Sequence, residues 1–531
     1  MKKALFFTTL FFLLITVIAS FITKKETKSV KIKTKPVECL IYSIADAVPF
    51  EFEQAPAHAS KERKNIADLT TGQISKLKDA ITAMKKLSVA DSNNPFGWSF
   101  QVKIHGGDNS QDDAWGQCQH GNDYFLAWHR MYLYFFEKIL RYHMEGDEKS
   151  KPGLPYWNYQ IASQYKIPLA FRDANAANSL YNSTRNKILN NGGEIDNSYN
   201  YYNNKITKII KNNVDFFNFQ DALEEAHGTI HSEIGGDMKD SEVASNDPLF
   251  FLHHANVDRL WQKWLAMKGG RCNPDKTKNS KWWNQVFLFY DLEKKKNADG
   301  TIAVDMYGKT IYIPLLVKMY GWQLIKVAKD LHYKYDNVNE LVTAPAVCNP
   351  TKSLSAFSKN ILVQSNGTTI VRKITKVKLN AIPTVKVSSF LPMPEQKTVL
   401  DSQQTDSFKK IYLQFENVKI YTYPRGVIEV YINPEKLEKL NSASPFFAGI
   451  MDLFSLSQNH THGEGEIENN LSKLNITETV EKLKLSNEDL KKLQIVFVVR
   501  GTYLNGVEMP TTVNINIGTI SVVGLLANDT K

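Results

Sequence analysis

The chain has 531 residues, with 43% hydrophobic and 23% charged side chains, the composition of a folded soluble protein. Disordered, collagen-like and multi-span membrane classes are therefore excluded, and the length allows about three domains of ordinary size. The net charge of +10 comes from 65 Lys+Arg against 55 Asp+Glu, spread without a basic helix or arginine stripe, so no nucleic-acid partner is expected.

Lys2 and Lys3 precede an apolar run from Ala4 to Ile22, followed by Lys24 and Lys25. Residues 1–22 read as a secretory signal, cleaved after Ala19, or as an uncleaved signal anchor. Either reading places the body outside the cytoplasm, secreted or periplasmic, and only the uncleaved one gives a membrane contact. Four cysteines, Cys39, Cys118, Cys272 and Cys348, match no zinc or redox motif and allow few disulfides.

A helix is expected over 65–87, broken by SNNPFGWS, and a long aromatic helix over 123–143. An asparagine-rich excursion with a short helix follows over 173–213, then helices over 221–234 and 247–267, the second starting at Asp247 and Pro248. Residues 36–270 form the helical domain and 271–384 a connecting region, with a lysine-rich linker near 370–390. From 385 to 531, β-branched runs such as KIYLQF, GVIEVYIN and QIVFVVRG predict an all-β sandwich. The fold class is thus a mainly α domain with a four-helix-bundle core, followed by a C-terminal β sandwich.

Of the 12 histidines, eight lie between His105 and His254. His227 and His231 stand four residues apart, so one helix face aims both imidazoles at one point. His254 shares a stripe with Phe250, Val257, Trp261 and Trp264 and faces the core. His253 is rotated by about 100° and serves as a second-layer residue or gate. His129 lies on the stripe Phe125, His129, Tyr132, Phe136. His120 must come from the turn before that helix to reach the same ion, and His105 is expected on a loop beside Gly106 and Gly107. His143, about 21 Å along the helix from His129, cannot join it. Two sets of three imidazoles suit zinc, copper, iron or nickel. Gly228 stands where a zinc protease needs its glutamate, and no Cys, His and Met group forms a blue-copper site. A pair of coppers is the economical reading.

HGNDYFLAWHRMYLYFFEKIL, LPYWNY, EEAHGTIHSEIGG and NDPLFFLHHANVDRLWQKW closely resemble the motifs of type 3 copper proteins, the group of tyrosinases, catechol oxidases (polyphenol oxidases) and haemocyanins. The resemblance spans roughly residues 95–267. It implies that His105, His120 and His129 bind one copper ion and His227, His231 and His254 the other, and that O2 and small phenols are the substrates. The reaction implied is oxidation of o-diphenols to o-quinones, with hydroxylation of monophenols open, because Gly228 replaces the asparagine of many tyrosinases. A haemocyanin-like oxygen carrier is the alternative. Glu224 resembles a glutamate that helps deprotonate a phenol in some members, or is an exposed helix carboxylate. Cys118, in GQCQH, is thioether-bonded to His120 as in fungal tyrosinases, or remains a buried thiol. Asp258 orients a ligand or pairs with Arg259 or another helix. Phe250, Phe251 or residues 235–243 are expected at the entrance. FLFYDLEKK, GVIEVYIN and SPFFAGIMDLF resemble the regions after the copper domain of plant polyphenol oxidases, although VIEV stands for their Lys-Phe-Asp-Val run. This second resemblance implies a lid over the copper site, hence a latent proenzyme with an activating protease as partner.

Overall fold

The computed structural model describes residues 44–53, 61–108, 110–195, 201–338, 357–370, 374–378, 380–381, 410–437, 440–454, 456 and 471–527. The N-terminal apolar run, Cys39, Cys348 and most of the lysine-rich segment near 370–390 lie outside these residues. Among the described residues, no helix is long and apolar enough to cross a membrane. Cys118 is buried and belongs to no disulfide, whereas Cys272 is disulfide-bonded.

Six helices frame the first part of the chain: α1 (Thr71–Ala90), α2 (Trp98–Gly106), α3 (Phe125–Tyr142), α4 (Tyr201–Asn212), α5 (Phe216–Ile234) and α6 (Leu249–Ala266). Each start has a local cause. The Thr70 hydroxyl accepts from the Gln73 amide and the Gln73 side chain accepts from the Thr70 amide, closing a capping box on α1. At α5 the Asp215 side chain accepts from the Asn218 amide, and the helix ends on Gly235 at φ 66°, backbone that glycine adopts without strain. At α6, Pro248 takes the cap position expected of Asp247; the Asp247 carboxylate still accepts the Leu249 N–H while pairing with buried Arg185 at 2.6 Å. The asparagine-rich excursion is less superficial than its composition suggests, because Tyr202, Ile206 and Ile209 of α4 enter the core.

Helix α3 is buried nearly all round. The reason is a hairpin of β1 (Val286–Lys294) and β2 (Tyr312–Tyr320), whose Phe289 stacks on Phe135 with ring centroids 5.2 Å apart and lies 5.7 Å from Trp128. Residues expected to connect two domains therefore complete the helical core instead. Fully burying side chains of this kind stabilises by about 1.5–3 kcal/mol each.

The C-terminal part is a sandwich of two antiparallel sheets. One sheet orders β9 (Leu471–Asn475), β6 (Lys410–Thr422), β11 (Asn514–Ala527), β3 (Phe357–Ile370) and β5 (Asn380–Ala381); the other orders β8 (Phe447–Ile450), β7 (Gly426–Ile432), β10 (Gln494–Gly501) and β4 (Ile374–Lys378). Phe415 of one sheet meets Phe497 of the other at 5.9 Å between buried Ile428, Val430, Ile515 and Ile517. The sandwich thus begins near residue 357 rather than 385, since β3 and β4 supply strands where a linker was expected. Polar and charged contacts join it to the helices: Asn186 donates to the Thr502 hydroxyl at 2.7 Å, the Glu194 amide to the Tyr503 carbonyl at 2.9 Å, and Lys410 pairs with Asp221 at 3.9 Å.

Candidate metal centre

Five of the histidines expected as ligands project from helices. His105 sits in the last turn of α2, not on a loop, because α2 continues through Gly106. His129 is on α3, His227 and His231 on α5, and His254 on α6. His120 lies in the non-helical segment before α3, as the angular argument requires. All six rings are buried.

The second set converges tightly. His254 Nε2 lies 3.2 Å from His227 Nε2 and 3.1 Å from His231 Nε2. In the first set, ligand atoms of His105, Cys118 and His120 lie within 4.8 Å of one another, and the His129 ring stands 4.9 Å from His120 and 5.7 Å from His105. The two sets abut: His129 stacks on His254 at 4.4 Å, and His120 is 5.6 Å from His227.

Three of the rings have their tautomer set by a carbonyl. His105 Nδ1 meets Ser241 O at 2.7 Å, His129 Nδ1 meets Phe125 O at 2.8 Å, and His231 Nδ1 meets Met238 O at 2.6 Å. A carbonyl only accepts, so the proton is on Nδ1 and each Nε2 keeps its lone pair. Burial drives His227, His231, His253 and His254 well below the usual imidazole range and His129 to about 3, so these rings are neutral near pH 7. His129 Nε2, left with its lone pair, is buried without a hydrogen-bond partner, a donor atom that a metal ion would satisfy. The donor set therefore fits two nitrogen-bound metal ions.

His253 belongs to the same cluster, but its ring stacks parallel on His227 at 5.0 Å, whereas His254 Nε2 meets both His227 and His231. His143 is remote and bonds to the Phe96 carbonyl at 3.0 Å. Asp258 does not orient a histidine. Its carboxylate accepts from Arg130 at 2.5 Å, Arg63 at 3.2 Å, and the Tyr333 and Tyr335 hydroxyls at 2.7 Å each. It thereby ties α6 to α3 one residue beyond His129, whereas Arg259 turns to Asn256, Asn158 and Gln160. Glu224 accepts the Gly121 N–H at 2.7 Å and so holds the segment that carries His120; burial raises its carboxyl well above the usual range. Burial likewise pushes the Cys118 thiol up.

Two of the residues expected at the entrance lie inside the core. Phe250 is wedged between His105 and His254, at 4.9 and 4.1 Å, and Phe251 stacks on Phe136 inside the core. What covers the centre is Phe454, from the turn after β8. Its buried ring stacks on His231 at 4.1 Å and 16°, and stands 5.3 Å from His120 and 5.6 Å from His227. Phe454 was missed because it lies in no periodic stretch; SPFFAGIMDLF suggested a lid but not which residue enters.

One residue of α5 gains a reason here. A glycine inside a helix is less favourable than alanine by about 0.5–1 kcal/mol. Gly228 has no conformational need for it, but a Cβ there would stand 2.4 Å from Asp452 Oδ1.

Comparison with known proteins accords with this geometry. The common central domain of tyrosinase matches residues 95–198 and 168–267, and a domain of unknown function (DUF7868) matches residues 364–524. The tyrosinase HcTyr1 of Hahella sp. (strain CCB-MM4) is 32% identical over 279 residues, covering 44% of this chain and 58% of its own. The chloroplastic polyphenol oxidase C of Solanum lycopersicum is 30% identical over 285 residues, covering 44% and 42%. The chain thus spans about half the length of these curated relatives. A solved structure of latent aurone synthase, a polyphenol oxidase, superposes with a TM-score of 0.53 at 19% identity over 92% of this chain and 94% of that one, which speaks for the fold.

Proposed function

The chain belongs to the type 3 copper family, whose cofactor is a pair of copper ions, and from that premise we propose that it is an exported o-diphenol oxidase, made latent by its own C-terminal sandwich. The observation that carries this reading is the pair of abutting histidine sets with three Nε2 lone pairs fixed inward. His105, His120 and His129 hold one copper ion, and His227, His231 and His254 hold the other. Copper, when bound, supplies the redox chemistry by which two o-diphenols and one O2 become two o-quinones and two waters.

The protein's own groups supply the rest. The face of His231 now under Phe454 is the place for a phenol ring. Glu224, one turn before His227 and bonded to the Gly121 amide beside His120, is the base that takes a phenolic proton. Glu224→Gln keeps an acceptor for Gly121 and loses the base, so kcat for catechol falls about a hundredfold with little change in KM. A Cys118–His120 thioether pins the one ligand outside a helix.

A second reading, reversible oxygen carriage, is supported by the covered site. Catechol decides between them. Copper-loaded protein, after limited proteolysis that removes the sandwich, should form quinone and consume oxygen. Reversible oxygen uptake with catechol untouched would establish the carrier and discard the oxidase. Tyrosine given to the same sample reports whether monophenols are hydroxylated.

A further inference from the structure

Helix α5 carries His227 and His231 towards the metal centre and Gly228 towards the sandwich. A Cβ on Gly228 would lie 2.4 Å from Asp452 Oδ1 and 2.5 Å from both Oδ2 and Cγ. Because Cγ itself is that close, spinning the carboxylate about its own bond relieves nothing. Swinging the whole side chain away would break the bond that Asp452 Oδ1 accepts from the Phe454 amide at 2.9 Å. The Asp452 carbonyl meanwhile accepts the Ser472 hydroxyl at 2.8 Å and ties the turn to β9. The notch at Gly228, the Asp452 carboxylate, the Phe454 backbone and the Phe454 ring on His231 therefore form one continuous chain of contacts.

We propose that Gly228 is the keyhole of the lid: the missing side chain at this helix position admits the Asp452–Phe454 turn and so determines whether the copper site can be covered. The inference rests on the latent-oxidase reading and adds the residue that sets latency. A methyl group here needs about 1 Å more room to reach ordinary contact, so either the turn backs away or Asp452 swings aside and releases the Phe454 amide, and both loosen Phe454 on His231. Alanine suits the helix itself better than glycine. The substitution thus opposes the lid while favouring the helix that holds two ligands.

The test uses the full chain, copper-loaded and uncleaved. Gly228→Ala should raise catechol oxidation at least about tenfold and speed amide exchange at Phe454, the latter also in copper-free protein. Adding Asp452→Ala removes the carboxylate from the notch and should restore the low activity, while the Phe454 amide, having lost its acceptor, stays fast to exchange. Gly228→Ala that leaves both readouts at the wild-type level overturns the keyhole if Phe454→Ala opens the site. If Phe454→Ala leaves activity unchanged, the latent-oxidase reading itself falls. A folding defect in Gly228→Ala that Asp452→Ala repairs supports the clash, and one that it does not repair overturns it.

Discussion

The helical core and the β sandwich both reach the metal centre, but by different means. In the core, a ligand's direction follows from its spacing along a helix: His227 and His231 share a face because four residues make just over a turn. In the sandwich, the residue that matters sits on a turn after a strand, and only docking against α5 gives Phe454 its place on His231. The aim of each helix-borne ligand is written in its own helix, and access to the site is not. Substitutions in the two regions should accordingly separate capacity from availability.

The largest effect belongs to the core. His231→Ala removes an Nε2 that lies 3.1 Å from that of His254. The variant should lose one metal equivalent, measured by elemental analysis, and all catechol oxidation even after the sandwich is cut away. Retained activity would break the assignment of capacity to the histidine sets.

Next comes the scaffold that joins them. Asp258 is buried among Arg63, Arg130, Tyr333 and Tyr335, and Asp258→Ala leaves the Arg130 guanidinium without its carboxylate while Arg63 keeps Glu137, a change of about 3 kcal/mol. Burial works against the Asp258 carboxylate, but Arg130 and Arg63 outweigh it and hold its pKa below 3.8. A lowered folded-state pKa gives stability that is present above the unfolded value and lost as pH falls through the folded one. Wild-type melting temperature should therefore drop as pH falls below about 4, and the Asp258→Asn variant should lack this group's share of that slope.

These two cases also show what the sequence makes legible. The histidine stripes, the position of His120 before its helix and the exclusion of His143 follow from rotation and rise alone. His105 was expected on a loop because Gly106 and Gly107 end a helix as readily as they form one. The hairpin over 286–320 looked like a connector since its partner, the aromatic face of α3, lies more than 140 residues earlier. Separation in sequence also hides the role of Asp258, whose partners Arg63 and Tyr335 lie on either side of it along the chain. The strands at 357–370 and 374–378 carry lysines, and only pairing with β10 and β11 reveals them as sheet.

On the access side, Phe454→Ala removes the ring that covers His231. Uncleaved protein should oxidise catechol about tenfold faster, and the gain should vanish once the sandwich has been removed from both proteins. A gain that persists after cleavage would mean that Phe454 shapes the centre itself, which would erase the distinction between capacity and availability.

The smallest effect concerns the ligand that belongs fully to neither pattern. Among the six histidines, His120 alone is off a helix, so its ring depends on tethers: the Glu224 bond to the Gly121 amide on one side and Cys118 on the other. If Cys118 is bonded to His120, the intact mass of that peptide is two hydrogens below the sum of its residues, and a full-mass peptide discards the bond. Cys118→Ala should then lower activity only a few-fold, because Glu224 still holds the segment. Combined with Glu224→Ala, the loss should exceed the product of the single losses, since both residues restrain one loop. Simple multiplicativity would show that His120 is held by packing against Phe125 and His129 instead, and that the loop-borne ligand needs no tether beyond the core.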